Sequence, residues 1–120
     1  MPDLTKERCI ACTPASPHVT EGEMLSLRPS VPEWRVVTEG SAKALWRSFR
    51  FRGFSDALAF ANEVGRIAEE QGHHPVMTIE LRKVTVVWTT QAIHNLHRND
   101  FIMAAKTDQL HAGRSSGAAR

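Results

Sequence analysis

The sequence predicts an α+β domain in which a four-stranded antiparallel sheet carries helices on one side, in the order α-β-β-α-β-β-α. Three observations point there. Ala57, Phe60, Ala61, Val64, Ile67 and Ala68 recur at three- and four-residue spacing, the repeat of one apolar helical face. Met77, Ile79 and Leu81, then Val84, Val86 and Trp88, alternate with polar or smaller residues, the period of strands with one buried face. A second pair of strand signals precedes the central helix, so strands come in adjacent pairs, as antiparallel hairpins do.

The chain can be taken in order. Residues 1–19 hold Cys9 and Cys12, prolines and little periodicity, and read as an extended arm before the domain of residues 20–112. Thr20 followed three residues later by Glu23 is a capping-box pattern, predicting a short helix over 20–28 that closes before Pro29. Residues 34–38 and 44–51 form the first hairpin around Glu39-Gly40-Ser41, with Leu45, Phe49 and Phe51 on one face. Ser55 and Asp56 offer an N-cap and a first-turn acid to the central helix, which runs to about residue 71 and ends at Gly72 as a left-handed cap. The second hairpin turns near Arg82-Lys83 without the Gly or Asn that a tight loop prefers, so a longer loop or local strain is expected. Residues 100–110 are helical, with Phe101, Ile102, Ala105 and Leu110 on the apolar side, and the small, polar, basic tail 113–120 is expected to be disordered.

At 120 residues the chain suits one domain with a substantial core. Its formal charge is +2 and its basic residues are scattered, which gives no electrostatic footprint for nucleic acid. No apolar run approaches the roughly 18 residues of a membrane span. Met1-Pro2-Asp3-Leu4-Thr5-Lys6 lacks a signal-peptide core, so a cytoplasmic protein is expected. Cys9 and Cys12 are the only cysteines. His18 would be a third zinc ligand, but a structural site needs a fourth, and idle reduced thiols are the favoured reading. Four short strands leave two open sheet edges, which a second copy would bury, so a homodimer or homotetramer is expected.

The chemistry-bearing stretch is Glu69-Glu70-Gln71-Gly72-His73-His74-Pro75. Two imidazoles follow a helix end, and Pro75 forces the chain out into a strand. Each ring can give or take a proton near neutral pH, which suits acid–base work. The structural alternative is that the histidines, with Asp100, merely stabilise this corner. His94 and His97 have the spacing of an i,i+3 metal pair, but a surface or capping role is favoured because no carboxylate or thiol lies beside them in sequence.

These residues resemble the pterin-4a-carbinolamine dehydratase family, known in animals also as a dimerisation cofactor of a homeodomain transcription factor. The resemblance rests on Glu69, His73-His74-Pro75, Lys83-Val84-Thr85-Val86, and the stretch Leu96-His97-Arg98-Asn99-Asp100-Phe101-Ile102-Met103-Ala104-Ala105. It extends from Cys9 to about Asp108 and includes Phe60 and Asn62. It implies an enzyme that dehydrates 4a-hydroxytetrahydropterin to quinonoid dihydropterin without a metal or organic cofactor. On that template His73 and His74 contact the pterin and shuttle protons, Asp100 orients an imidazole, and Glu69, Pro75, Leu81 and Gln91 fall at substrate-binding positions.

Two positions depart from the family pattern. A third active-site histidine is replaced by Gln91, and an aromatic residue on the hairpin by Leu81. Glutamine hydrogen-bonds but does not titrate. Losing one acid–base group costs about 10²–10⁴-fold in rate, or roughly 3–5 kcal/mol of barrier. His94 would replace the missing imidazole only with a shifted strand end. Pterin dehydratase-like proteins with altered pockets resemble a branch associated with α-carboxysome genes that acts in Rubisco assembly. The sequence therefore favours a weak or non-catalytic, protein-binding factor with Rubisco as client and a carboxysome-associated location. The alternative is an active dehydratase that recycles tetrahydropterin. A transcriptional coactivator role has no sequence support beyond the fold.

Overall fold

The computed structural model describes residues 3–40 and 42–115. Helix α1 (Glu21–Leu27) starts with both halves of the predicted capping box, Thr20 accepting from the Glu23 N–H and Glu23 accepting from the Thr20 N–H. A 3₁₀ turn, Arg28–Ser30, absorbs Pro29 and leads to strands β1 (Arg35–Glu39) and β2 (Ala42–Arg50). Helix α2 (Phe54–Gln71), strands β3 (Val76–Glu80) and β4 (Lys83–Trp88), and helix α3 (Arg98–Ser115) complete the order. The sheet is antiparallel throughout, with strand order β1-β2-β4-β3. Its inner face contributes Leu45, Phe49, Val84, Val86 and Trp88, which pack with Phe60, Val64, Phe101 and Met103 of α2 and α3. This is the expected α+β architecture.

Several details differ from expectation, each for a local reason. The α2 N-cap is Gly53 rather than Ser55, with no side-chain cap, because the helix begins one residue before that serine. The β3–β4 loop is tight: Glu80 pairs with Lys83, leaving only Leu81 and Arg82 between them, neither at positive φ. The turn is therefore not of a primed type. It is tied down instead by the Arg82 carbonyl, which accepts the Phe51 N–H at 2.8 Å. The alternating face of β3 is only partly covered. Met77 packs against the core, whereas Ile79 and Leu81 are exposed because β3 is an edge strand. Helix α3 starts at Arg98 and runs through Ser115, so residues 113–115 of the expected tail are helical. The remainder of that tail, residues 116–120, lies outside the described residues.

The arm is part of the fold. Leu4, in a 3₁₀ turn (Leu4–Lys6), is 1% exposed within the core, and Lys106 of α3 donates to the Thr5 carbonyl at 2.8 Å. Arg98 forms a two-pronged pair with Glu7, each contact 2.8 Å. That hydrogen bond holds the Glu7 carboxyl below the usual glutamate range. Residues 4–7 thus lie against α3.

Candidate active site

The end of α2 positions the first functional group. Gly72 adopts φ +66°, so the chain reverses out of the helix, and both the Gly72 and His73 N–H groups donate to the Ala68 carbonyl. His73 is thereby turned inward and His74 outward. The His73 ring is 9% exposed and lies parallel to buried Trp88, with ring centroids 5.7 Å apart and planes 10° apart. The Trp88 indole is held in turn by donation to Thr107 Oγ1 at 3.1 Å. His74 stays largely exposed, with its Nε2 against Glu69 Oε2.

The start of α3 supplies the partner of His73. Asp100 is completely buried in the helix's first turn, where the aligned peptide dipoles favour an anion. Its Oδ1 lies 2.6 Å from His73 Nε2, and its Oδ2 accepts from Thr90 Oγ1 at 2.7 Å and the His97 N–H at 2.9 Å. Three donors converge on one buried carboxylate, which offsets the cost of taking it out of water. With Nε2 donating to Asp100, the neutral His73 ring presents Nδ1 as its acceptor nitrogen. The imidazole is fixed in place, plane and tautomer.

The loop after β4 forms the rim. Thr90 and Asn95 bridge across a 3₁₀ turn, Gln91–Ile93, which His94 closes in the left-handed region at φ 50°. His73, His74, Gly72, Thr89, Thr90, Gln91, Ile10 and Cys12 line a cleft of about 250 Å³. Of the predicted site residues, His73, His74 and Gln91 meet there; Asp100 stands behind His73 and Glu69 braces His74. Pro75 follows the histidines without lining the cleft. Leu81 is not brought to it, since it sits 66% exposed in the β3–β4 turn. Nor does His94 line it: His94 faces a groove on the sheet's outer side with Val37, Trp46, Val76 and Val87. His97 acts as a cap, its Nδ1 accepting the Asn99 N–H at 3.0 Å.

Sequence reasoning missed Thr90, Trp88, Asn99, Ile10 and Cys12 as parts of this site. The unexplained CxxC was the one signal pointing to the last two. Among the described residues of this one chain, no group of three His, Cys, Asp or Glu side chains is placed to hold a metal ion, so Cys9, Cys12 and His18 are not gathered into one cluster. No helix among the described residues is long and apolar enough to cross a membrane.

A family model described as pterin 4 alpha carbinolamine dehydratase matches residues 17–110. A protein of Nitrosococcus oceani named "Putative pterin-4-alpha-carbinolamine dehydratase" is 49% identical over 110 residues, covering 92% of this chain and 97% of its own. A Gloeobacter violaceus protein with the same name, numbered 1, is 48% identical over 110 residues, covering 92% and 95%. The crystal structure of a transcriptional coactivator/pterin dehydratase from Brucella melitensis superposes with a TM-score of 0.71 at 29% identity, covering 78% of this chain and 98% of that one. A pterin dehydratase-like protein identified as a RuBisCO assembly factor in the alpha-carboxysome superposes with a TM-score of 0.57 at 22% identity, covering 72% and 93%. At that identity the second likeness concerns the fold alone.

Proposed function

Because the chain belongs to the pterin-4a-carbinolamine dehydratase family, we propose that its cleft dehydrates a 4a-hydroxytetrahydropterin, at a rate reduced by the glutamine at position 91. The buried His73–Asp100 pair carries this reading. Loss of water from such a substrate needs a proton on the departing 4a-hydroxyl and removal of the N5 proton as the C=N bond forms. His73, with its Nε2 proton held on Asp100, takes the N5 proton at Nδ1. His74, partnered by Glu69 at the cleft's mouth, delivers a proton to the hydroxyl. Gln91 holds the substrate by hydrogen bonds and moves no proton. No cofactor enters these steps.

The Rubisco-assembly reading rested on two altered pocket positions. With Leu81 outside the cleft, Gln91 is left as its only support at the site. The dehydratase is therefore the better-supported function, and a protein client the second. A homo-oligomer belongs to either reading, since β1 and β3 each keep one unpaired edge that a second copy would cover.

The test is turnover of freshly generated 4a-hydroxytetrahydropterin by the native protein and its Gln91→His variant at neutral pH. The expected outcome is measurable native turnover and a variant faster by up to about 10²-fold, the lower end of what one acid–base group contributes. A native rate equal to buffer would end the dehydratase reading and turn the search to the protein that this surface binds. Equal native and variant rates would show that Gln91 costs nothing.

A further inference from the structure

The N-terminal arm, and not only the domain beyond it, walls the cleft. Ile10 and Cys12 line it alongside His73, His74 and Gln91. They are held there by Asn99, the neighbour of Asp100 in the first turn of α3. Asn99 brackets Ile10 as a β-strand would, its Oδ1 accepting the Ile10 N–H at 3.1 Å and its Nδ2 donating to the Ile10 carbonyl at 2.7 Å. The same Nδ2 lies 3.2 Å from Cys12 Sγ. One residue earlier, the Cys9 N–H donates to Gln71 Oε1 at 2.9 Å, at the end of α2. The two helix ends that position His73 and Asp100 therefore also fix the arm.

The two thiols are not equivalent. Cys9 turns away from the cleft, with its Sγ 3.8 Å from the Asn99 carbonyl, and burial pushes its pKa up to about 12. Cys12 is partly exposed and faces the cavity; burial, then the charge of Asp100, raises its pKa as well. A thiol kept neutral beside a proton-transfer site is a poor nucleophile, but it is a soft, polarizable surface for a flat heterocycle.

We infer that Cys12 is a substrate-contacting residue, its sulfur packing against the bound pterin ring as the wall the arm adds to the cleft. Its role is binding and orientation rather than proton transfer. The inference rests on the dehydratase reading of the same cleft. A Cys12→Ser change, which keeps the size and a donor but removes the polarizable sulfur, raises KM more than it lowers kcat.

The direct test uses the native protein and a maleimide probe. The labelling rates of Cys9 and Cys12 are followed separately by fragment-ion mass spectrometry, with and without 7,8-dihydrobiopterin. Pterin binding is measured independently by calorimetry. At ten times the measured Kd, labelling of Cys12 should slow about tenfold, because only the unliganded fraction reacts. If pterin binds and the Cys12 rate is unchanged, the contact is refuted while the cleft's function stands. If no pterin binds, the dehydratase reading fails and this inference fails with it.

Discussion

Asp100 is placed to set the tautomer of His73, and an amide at that position would set the other one. Asparagine can still accept from Thr90 Oγ1 or the His97 N–H, so the buried corner keeps most of its hydrogen bonds. Facing His73 Nε2, however, an amide can donate where the carboxylate accepted, which moves the ring proton to Nδ1 and removes the base from the cleft. Asp100→Asn should therefore lower kcat by about 10²–10⁴-fold with near-native near-ultraviolet circular dichroism. A kcat within threefold of native would refute the orienting role. At this scale the sequence showed that two imidazoles follow a helix end. It did not show their inequality, because which ring turns inward depends on the backbone path after Gly72 and on Trp88 arriving from another strand. Asn99 and Cys12 were hidden for the same reason: the residues they meet lie 87 positions apart along the chain.

The corner itself is an α2 property. Gly72 ends the helix in the left-handed region, and a Cβ built there would meet nothing within 4 Å. A Gly72→Ala substitution consequently costs backbone strain without a clash, about 1–2 kcal/mol. Urea denaturation should show that loss, and a change below about 0.3 kcal/mol would mean that the corner readily tolerates an L-residue in this conformation. The predicted Gly72 cap was legible because few residues other than glycine end a helix this way. The edge character of β3 was less legible. Period-two alternation marks which side chains share a face but not whether a helix lies over them, and Ile79 and Leu81 share a face that the helices leave largely uncovered. Leu81 was placed at the pocket by the family resemblance, which puts an aromatic residue at that hairpin position; here it stands in the β3–β4 turn, exposed and away from the cleft that His73 and His74 line.

For the molecule as a whole, the informative question is where the domain begins. Composition placed a boundary near residue 20, since residues 1–19 lack periodicity, and the family model matches only from residue 17. Long-range contacts nevertheless tie the arm to the domain. Leu4 is buried in the common core, Glu7 pairs with Arg98, and the Ile10 backbone is bracketed by Asn99. None of these is written in local pattern, because each joins the first residues to the last helix. If the arm is one cooperative unit with the sheet and helices, it cannot detach before they unfold. Exposure of the Cys9 thiol in urea, which in the folded protein lies half-buried against the Asn99 carbonyl, should then track the fluorescence change of Trp34 and Trp88, both buried among sheet and helices, with a shared midpoint. Leu4→Ala should shift both probes together to lower urea, by about 2–5 kcal/mol if the vacated space does not collapse. Cys9 labelling fully at a urea concentration where Trp34 and Trp88 remain buried would show the arm to be a separate, weaker unit. The cleft would then lose its Ile10 and Cys12 wall without losing its histidines, and the arm would act as a removable side of the site.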